Sequence, residues 1–168
     1  MSSFLIDYTA YMRHLAERHR SLRHNPDEKH FFRGELQEFW QQFRSEVCFP
    51  CLIAESSDNE YSGSQHNPSK RRNTSFIVAD RYNQHDDYNE IQLKMSMCEE
   101  VAEQIVGRMI RDMENETPGT PFVNLDFDSL QGQYLQNEAN RYVGYRISFS
   151  CEESVCLYNP SVWQDEED

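Results

Sequence analysis

Residues 89–113 read NEIQLKMSMCEEVAEQIVGRMIRDM and form one long amphipathic segment. Its apolar residues recur at steps of four and three residues: Ile91, Met95, Cys98, Ala102, Ile105, Met109 and Met113. Acidic residues precede this segment, and Arg108 and Arg111 lie near its end, which complements the dipole of a helix running in this direction. The pattern predicts a helix from about Asn89 to Met113.

Short apolar segments flank this helix on both sides. Phe49 to Glu55 and Thr74 to Arg81 precede it, and Phe122 to Phe127 and Tyr142 to Cys151 follow it. The last of these alternates apolar and polar residues, which is typical of a strand with one packed and one wet face. Strand pairs around a helix predict an α+β fold, with a small mixed or antiparallel sheet packed against the long central helix.

Two helices are predicted before the first strand. The first has apolar residues at helical spacing from Phe4 to Leu22 and ends near Asn25 and Pro26. Pro26, followed by two acidic residues, predicts the start of a second helix, so the expected order is α-α-β-β-α-β-β. This second helix carries an aromatic stripe: Phe31, Phe32, Leu36, Phe39, Trp40 and Phe43. The stripe fits a core, or alternatively an exposed ridge for a partner, which makes Phe39, Trp40 and Phe43 candidate interface residues.

The polar stretch at residues 56–73 is predicted to be a flexible loop within a single domain spanning residues 1–168. Lys70, Arg71 and Arg72 lie in this loop beside acidic residues and are candidate interface residues. The chain ends in an acidic tail at residues 164–168, and Trp163 just before it is a further candidate interface residue.

The net charge of −13 opposes tight, sequence-independent binding of nucleic acid, because phosphate affinity depends on clustered basic residues. The N-terminus lacks the features of a secretory signal, and no stretch approaches the length of an apolar membrane span. We therefore expect a cytosolic site of synthesis, no membrane partner, and reduced thiols in the five cysteines.

Cys48 and Cys51 form the chain's Cys-x-x-Cys pair, which in general serves redox chemistry or half of a zinc site. The pair leads into an apolar strand rather than a helix, which disfavours redox activity, and a zinc site needs Cys151 and Cys156 as the second pair. The simpler interpretation is that these cysteines are small buried hydrophobic residues.

Asp126 and Asp128 share a strand face and could bind a cation, although solvation also explains them. We predict no catalytic residue, no cofactor and no resident metal.

The order of elements resembles that of the small tail terminator or tail-completion proteins of tailed bacteriophages and related contractile injection systems. The segment Tyr142-Val143-Gly144-Tyr145-Arg146-Ile147-Ser148-Phe149, followed by Cys156-Leu157-Tyr158-Asn159-Pro160-Ser161-Val162-Trp163, also resembles the end of short phage structural proteins.

The resemblance implies a structural virion protein that is not an enzyme. It implies a ring, commonly a hexamer, assembled in the host cytoplasm. Such a ring caps the tail tube and joins it to the head or neck, and DNA can pass through its lumen. Two alternatives stay open. An acidic inhibitor protein that mimics DNA would need carboxylates spaced like phosphates, and a thiol enzyme would use Cys51 or Cys98 as nucleophile.

Overall fold

The computed structural model describes residues 4–35, 47–64, 66–122 and 124–157. Two helices and six strands occur in this part of the chain. Their bounds are α1 (Phe4–Arg18), β1 (Lys29–Arg33), β2 (Val47–Ala54), β3 (Asp58–Ser64), β4 (Asn67–Arg81), α2 (Tyr88–Glu114), β5 (Leu125–Asn137) and β6 (Tyr142–Ser154). The predicted α+β class is confirmed.

The six strands form one mixed sheet in the order β1-β2-β4-β6-β5, and β3 pairs with β4 beside β2. Only β1 and β2 run parallel among these pairs, and the other neighbours are antiparallel. Along one side of β4, β2 pairs with residues 76–79 and β3 pairs with residues 67–73, while β6 pairs along the other side. The strands β2 and β3 therefore lie on the same side of β4.

The long helix α2 begins and ends within one residue of the prediction. The Asp87 carboxylate caps its N-terminus by accepting a hydrogen bond from the Glu90 backbone N–H at 3.0 Å, as acidic caps do. At the other end, the Asn115 N–H donates to the Arg111 carbonyl. The local signals and the tertiary structure agree over this segment.

The main core lies between the sheet and the two helices. Tyr8 of α1 stacks with Phe4 and meets Phe149 of β6 edge to face at 6.3 Å, and Phe122 packs against Phe149 at 5.5 Å. The predicted apolar face of β6 contributes Ile147, Phe149 and Cys151 to this core. Aromatic rings thus fill much of the space under the helices, and pairs at these distances add to the free energy of burial.

A smaller apolar cluster lies on the opposite face of the sheet. It consists of Cys51, Ile53, Ile77 and Ala79, which are all fully buried. Alternate residues of β4 therefore pack on both faces, Phe76 and Val78 toward the helices and Ile77 and Ala79 away from them. The strand predicted from Thr74 to Arg81 is confirmed as part of β4, and its residues 76–79 are buried on both faces of the sheet.

The predicted second helix is wrong in the part that the structure describes. Residues 29–33 form strand β1, which pairs in parallel with β2, and Phe31 packs in the main core while Phe32 lies against the opposite cluster. Pairing with an adjacent buried strand outweighs the weak helix-start signal at Pro26. The other residues of the aromatic stripe lie outside the described residues, so their part of the stripe stays a prediction: Leu36, Phe39, Trp40 and Phe43.

The prediction of a flexible loop at residues 56–73 is also wrong. Most of this stretch is the β-hairpin of β3 and the first half of β4, with Ser64 opposite Asn67 at its tip. Gly63 has a φ of +88°, and a Cβ at this position would lie 2.3 Å from the Asn67 carbonyl oxygen. The hairpin escaped prediction because β3 is exposed on both faces and has no apolar alternation.

The third correction concerns the closing hairpin. The strand predicted from Phe122 to Phe127 is instead β5, Leu125–Asn137, which continues through Gln131, Gly132 and Gln133 and has an irregularity between Asp126 and Gln131. A turn at residues 138–140 follows it, and the Asn140 N–H donates to the Asn137 side chain at 3.1 Å.

We predict that Phe149→Ala lowers the free energy of unfolding by about 3–5 kcal/mol, because it leaves a cavity among the packed rings. Phe127 on the neighbouring strand is 66% exposed, so Phe127→Ala is the matched control and changes stability by about 0.5 kcal/mol or less. Urea unfolding followed by circular dichroism measures both. Equal losses for the two variants would contradict the assigned core.

Candidate functional site

The three predicted basic interface residues do not form one patch. Lys70 and Arg72 lie on the helix side of β4, where the Lys70 ammonium lies 5.3 Å from the Tyr61 ring centroid and the Arg72 guanidinium 4.5 Å from that of Phe4. Arg71 points to the opposite face and pairs with Asp126 at 2.8 Å. Arg72 also donates from Nε to Glu153 at 3.0 Å. All three cations already have partners within the chain.

A polar cleft of about 610 Å³ lies on the face of the sheet opposite the helices. Short side chains of the two central strands form its floor: Asn73, Ser75, Ser148 and Ser150. Charged residues line its sides and one end, namely Glu35, Glu55, Asp58, Arg71, Asp128 and Arg146. The floor consists of small polar groups, so the cleft suits a polar or extended chain segment better than an apolar ligand.

An ion pair between the buried Glu55 carboxylate and the half-buried Arg146 guanidinium lies at one end of the cleft. Arg146 donates from Nε to Glu55 Oε2 at 2.8 Å and from Nη2 to Oε1 at 2.7 Å, and the Ser75 hydroxyl donates to Glu55 Oε2 at 2.6 Å. Glu55 is only 4% exposed. Two-point pairing of this kind satisfies a carboxylate that would otherwise be costly to bury. The pair ties the end of β2 to the centre of β6 across β4.

A hydrogen-bond network joins the rest of the cleft to the bulge of β5. The Ser150 hydroxyl donates to the Asn73 side chain at 2.7 Å, and the Ser150 N–H donates to the Ser129 hydroxyl at 2.7 Å. The Ser129 hydroxyl in turn donates to the Asp126 carbonyl at 2.5 Å. These bonds hold the side chains of the cleft floor against the neighbouring strands.

Three strands have an edge that no other described strand pairs with. β1 and β5 are the two ends of the strand order, and β3 pairs only with β4. Every residue of β3 is exposed. Unpaired strand edges carry free backbone donors and acceptors and can pair with another chain. Among the described strands, β1 and β3 therefore leave one side of the sheet unpaired, and β5 leaves the other side unpaired.

Buried cysteines make poor nucleophiles in this fold. Burial raises the pKa of Cys98 to about 12 and that of Cys151 to about 11, and burial also raises the pKa of Cys51 well above its ordinary value. A thiol must ionise to act as a nucleophile, so these three are protonated at neutral pH. The geometry disfavours the thiol enzyme that the sequence left open at Cys51 and Cys98.

The two cysteine pairs do not join into a zinc site. Cys51 belongs to the apolar cluster on the open face of the sheet, whereas Cys151 lies in the core under the helices. Within the described ranges, no group of three or more His, Cys, Asp or Glu side chains is placed to hold a metal ion. Asp126 is instead paired with Arg71 and accepts a hydrogen bond from the Asp128 N–H.

Some predicted interface residues lie outside the described part of the chain, and some residues of the cleft were not predicted. Phe39, Trp40, Phe43, Trp163 and the acidic tail at residues 164–168 lie outside the described residues, so their interface role stays a prediction. Glu55, Ser75 and Arg146 were missed. Arg146 stood out only as a charge among small residues on the wet face of β6, and no spacing in the sequence connects it to Glu55.

The comparisons with known proteins add no family assignment. The sequence matches no protein-family model and no curated protein. Neither described helix combines the length and the apolar character that a membrane-spanning helix needs.

We predict that Arg146→Met lowers the free energy of unfolding by about 3–5 kcal/mol, because it leaves the buried Glu55 carboxylate without its counter-charge. The double variant Glu55→Gln with Arg146→Met recovers most of this loss. Arg71→Met is the control, because Arg71 and Asp126 are both 42% exposed and such pairs contribute about 1 kcal/mol or less. Similar losses for Arg146→Met and Arg71→Met in urea unfolding would refute the distinction.

Thiol labelling at pH 8 should separate the cysteines by burial. Cys156 is exposed and should react with maleimide within minutes, while Cys51, Cys98 and Cys151 react only after unfolding because their thiols are buried and protonated. Mass spectrometry of labelled peptides gives the sites, and Cys156→Ser is the control. Rapid native labelling of Cys98 would contradict the structure and reopen the thiol-enzyme alternative.

Proposed function

We propose that the chain is a structural subunit that assembles into a ring at the end of a phage tail tube or contractile injection system and joins it to the head or neck. The observation that carries this proposal is that β1 and β3 on one side of the sheet, and β5 on the other, have edges that no described strand pairs with. A subunit with different free edges on opposite sides can add copies head to tail. Such a contact closes into a ring when the rotation between copies permits.

The hairpin of β3 and β4 offers the most accessible of these edges. The Val155 N–H donates to the Pro68 carbonyl at 3.2 Å, so the backbone groups of Pro68 face β6. Gly63 lies opposite Pro68, and its N–H and carbonyl therefore face away from β4. By alternation the N–H of Tyr61 also points outward. The stretch expected to be a flexible loop with candidate interface residues thus presents an ordered strand edge.

The resemblance to tail terminator and tail-completion proteins gives this assembly its biological setting. A ring of this chain, commonly of six copies in such proteins, would stop growth of the tail tube and offer a docking face to the neck. It would be assembled in the host cytoplasm and retained in the virion. The proposal assigns no catalytic residue, and the polar cleft is a contact surface in it.

The first test is the oligomeric state. Size-exclusion chromatography with light scattering should give a discrete closed oligomer, and negative-stain microscopy should show rings with a central opening. A monomer at about 100 μM would sink the proposal, since a ring contact with a dissociation constant below that concentration would be largely formed.

The second test blocks the edge of β3 without breaking the hairpin. Tyr61→Pro removes an outward N–H and no hydrogen bond to β4, so it should weaken assembly by about ten-fold or more while the fold persists. Tyr61→Thr keeps that N–H, removes the same ring and is the matched control. If both variants assemble as the original chain does, β3 is not part of the interface.

A further inference from the structure

The charges of this acidic chain are segregated. Residues 13–33 contain six basic and three acidic residues, and hence a charge of +3, whereas the remainder of the chain contains 10 basic and 26 acidic residues. All six of these basic side chains are exposed: Arg13, Arg18, Arg20, Arg23, Lys29 and Arg33. They lie on the second half of α1, the turn after it and strand β1. We call this group the basic edge, because β1 is the outermost described strand on that side.

The opposite end of the sheet is acidic. Tyr134 of β5 donates a hydrogen bond to Glu99 of α2 at 2.5 Å, and this bond is the main reason that the pKa of Tyr134 is raised to about 12. Glu103 acts on the same hydroxyl, and Glu138 is exposed in the turn that follows β5. We call Glu99, Glu103 and Glu138 the acidic edge.

The two edges lie at the same level of the sheet. Strand pairing places Phe31, Leu52, Val78, Tyr145 and Tyr134 in one continuous row across all five strands of the main path. The basic edge therefore surrounds one end of this row and the acidic edge surrounds the other. A translation of one copy along the row, with the rotation that a ring requires, brings opposite charges together.

We propose that the basic edge of one copy docks against the acidic edge of the next, so that charge complementarity sets the head-to-tail polarity of the assembly. This inference rests on the proposed ring and specifies its contact. Complementary fields of this kind favour the correct partner and oppose like-charged pairings, such as acidic edge on acidic edge. A second copy fits the basic edge better than nucleic acid does, because the rest of the chain repels phosphate.

Reversing one edge at a time tests this contact. Arg20→Glu with Arg33→Glu makes the basic edge acidic, and Glu103→Lys with Glu138→Lys makes the acidic edge basic. Each double variant alone should need about ten-fold or more higher concentration to assemble at low salt. An equimolar mixture of the two should assemble again, because each variant's edges then oppose complementary edges of the other. All four substitutions in one chain should also restore assembly.

A control variant reverses a charge elsewhere. Arg111→Glu lies in the last turn of α2, about two turns beyond Glu103, and should leave assembly unchanged. Circular dichroism of every variant identifies any that fail to fold. Mixing the two folded double variants then decides whether a loss of assembly came from the charge contact, because an unfolded chain would not regain assembly on mixing. Sedimentation velocity at low and high salt measures assembly throughout.

The outcomes separate the two proposals. If the original chain forms rings and the edge variants assemble equally well, or if mixing restores nothing, the charge contact is refuted while the ring stands. If the original chain is monomeric at every salt concentration, the ring itself fails. If Arg20→Glu with Arg33→Glu abolishes salt-dependent binding of duplex DNA and leaves assembly intact, the basic edge serves nucleic acid and the inference is overturned.

Discussion

Helix α2 lies across β4 and β6 at the centre of the sheet, and the remaining elements depend on that contact. β4 and β6 pair over residues 69–81 and 142–154, and their helix-facing side chains meet the apolar stripe of α2. α1 adds Tyr8 and Met12 to the same layer. Burial of apolar surface on this scale supplies most of the driving force for folding. The strands at the margins are held through this central pair.

The sequence predicted the parts of the fold whose local signals agree with their tertiary setting. Residues 89–113 have helical spacing, acidic and basic ends and a capping carboxylate, so α2 was placed within one residue. β6 shows clean alternation, because one of its faces is packed and the other is polar. Such segments are predictable, since propensity, pattern and packing all favour the same structure.

The errors arose where pairing partners decide the structure. Lys29–Arg33 became a strand because β2 lies beside it, and no local pattern reveals that neighbour. β3 has polar residues on both faces and exists through its pairing with β4. The candidate surface was only partly foreseen: Lys70, Arg71 and Arg72 were singled out as one group, but strand alternation sends Arg71 to the opposite face. The charge difference between the two ends of the sheet needed the strand order, which a linear reading does not provide.

The paired Glu55 and Arg146 side chains have a consequence for how the strands align during folding. If β6 slipped by one position against β4, the guanidinium would enter the aromatic layer beneath the helices and the carboxylate would lose its counter-ion. Such a misaligned sheet would have a much higher free energy, because it would bury an unpaired charge. The ion pair therefore favours one alignment of β6 with β4 and with the end of β2 over the neighbouring registers.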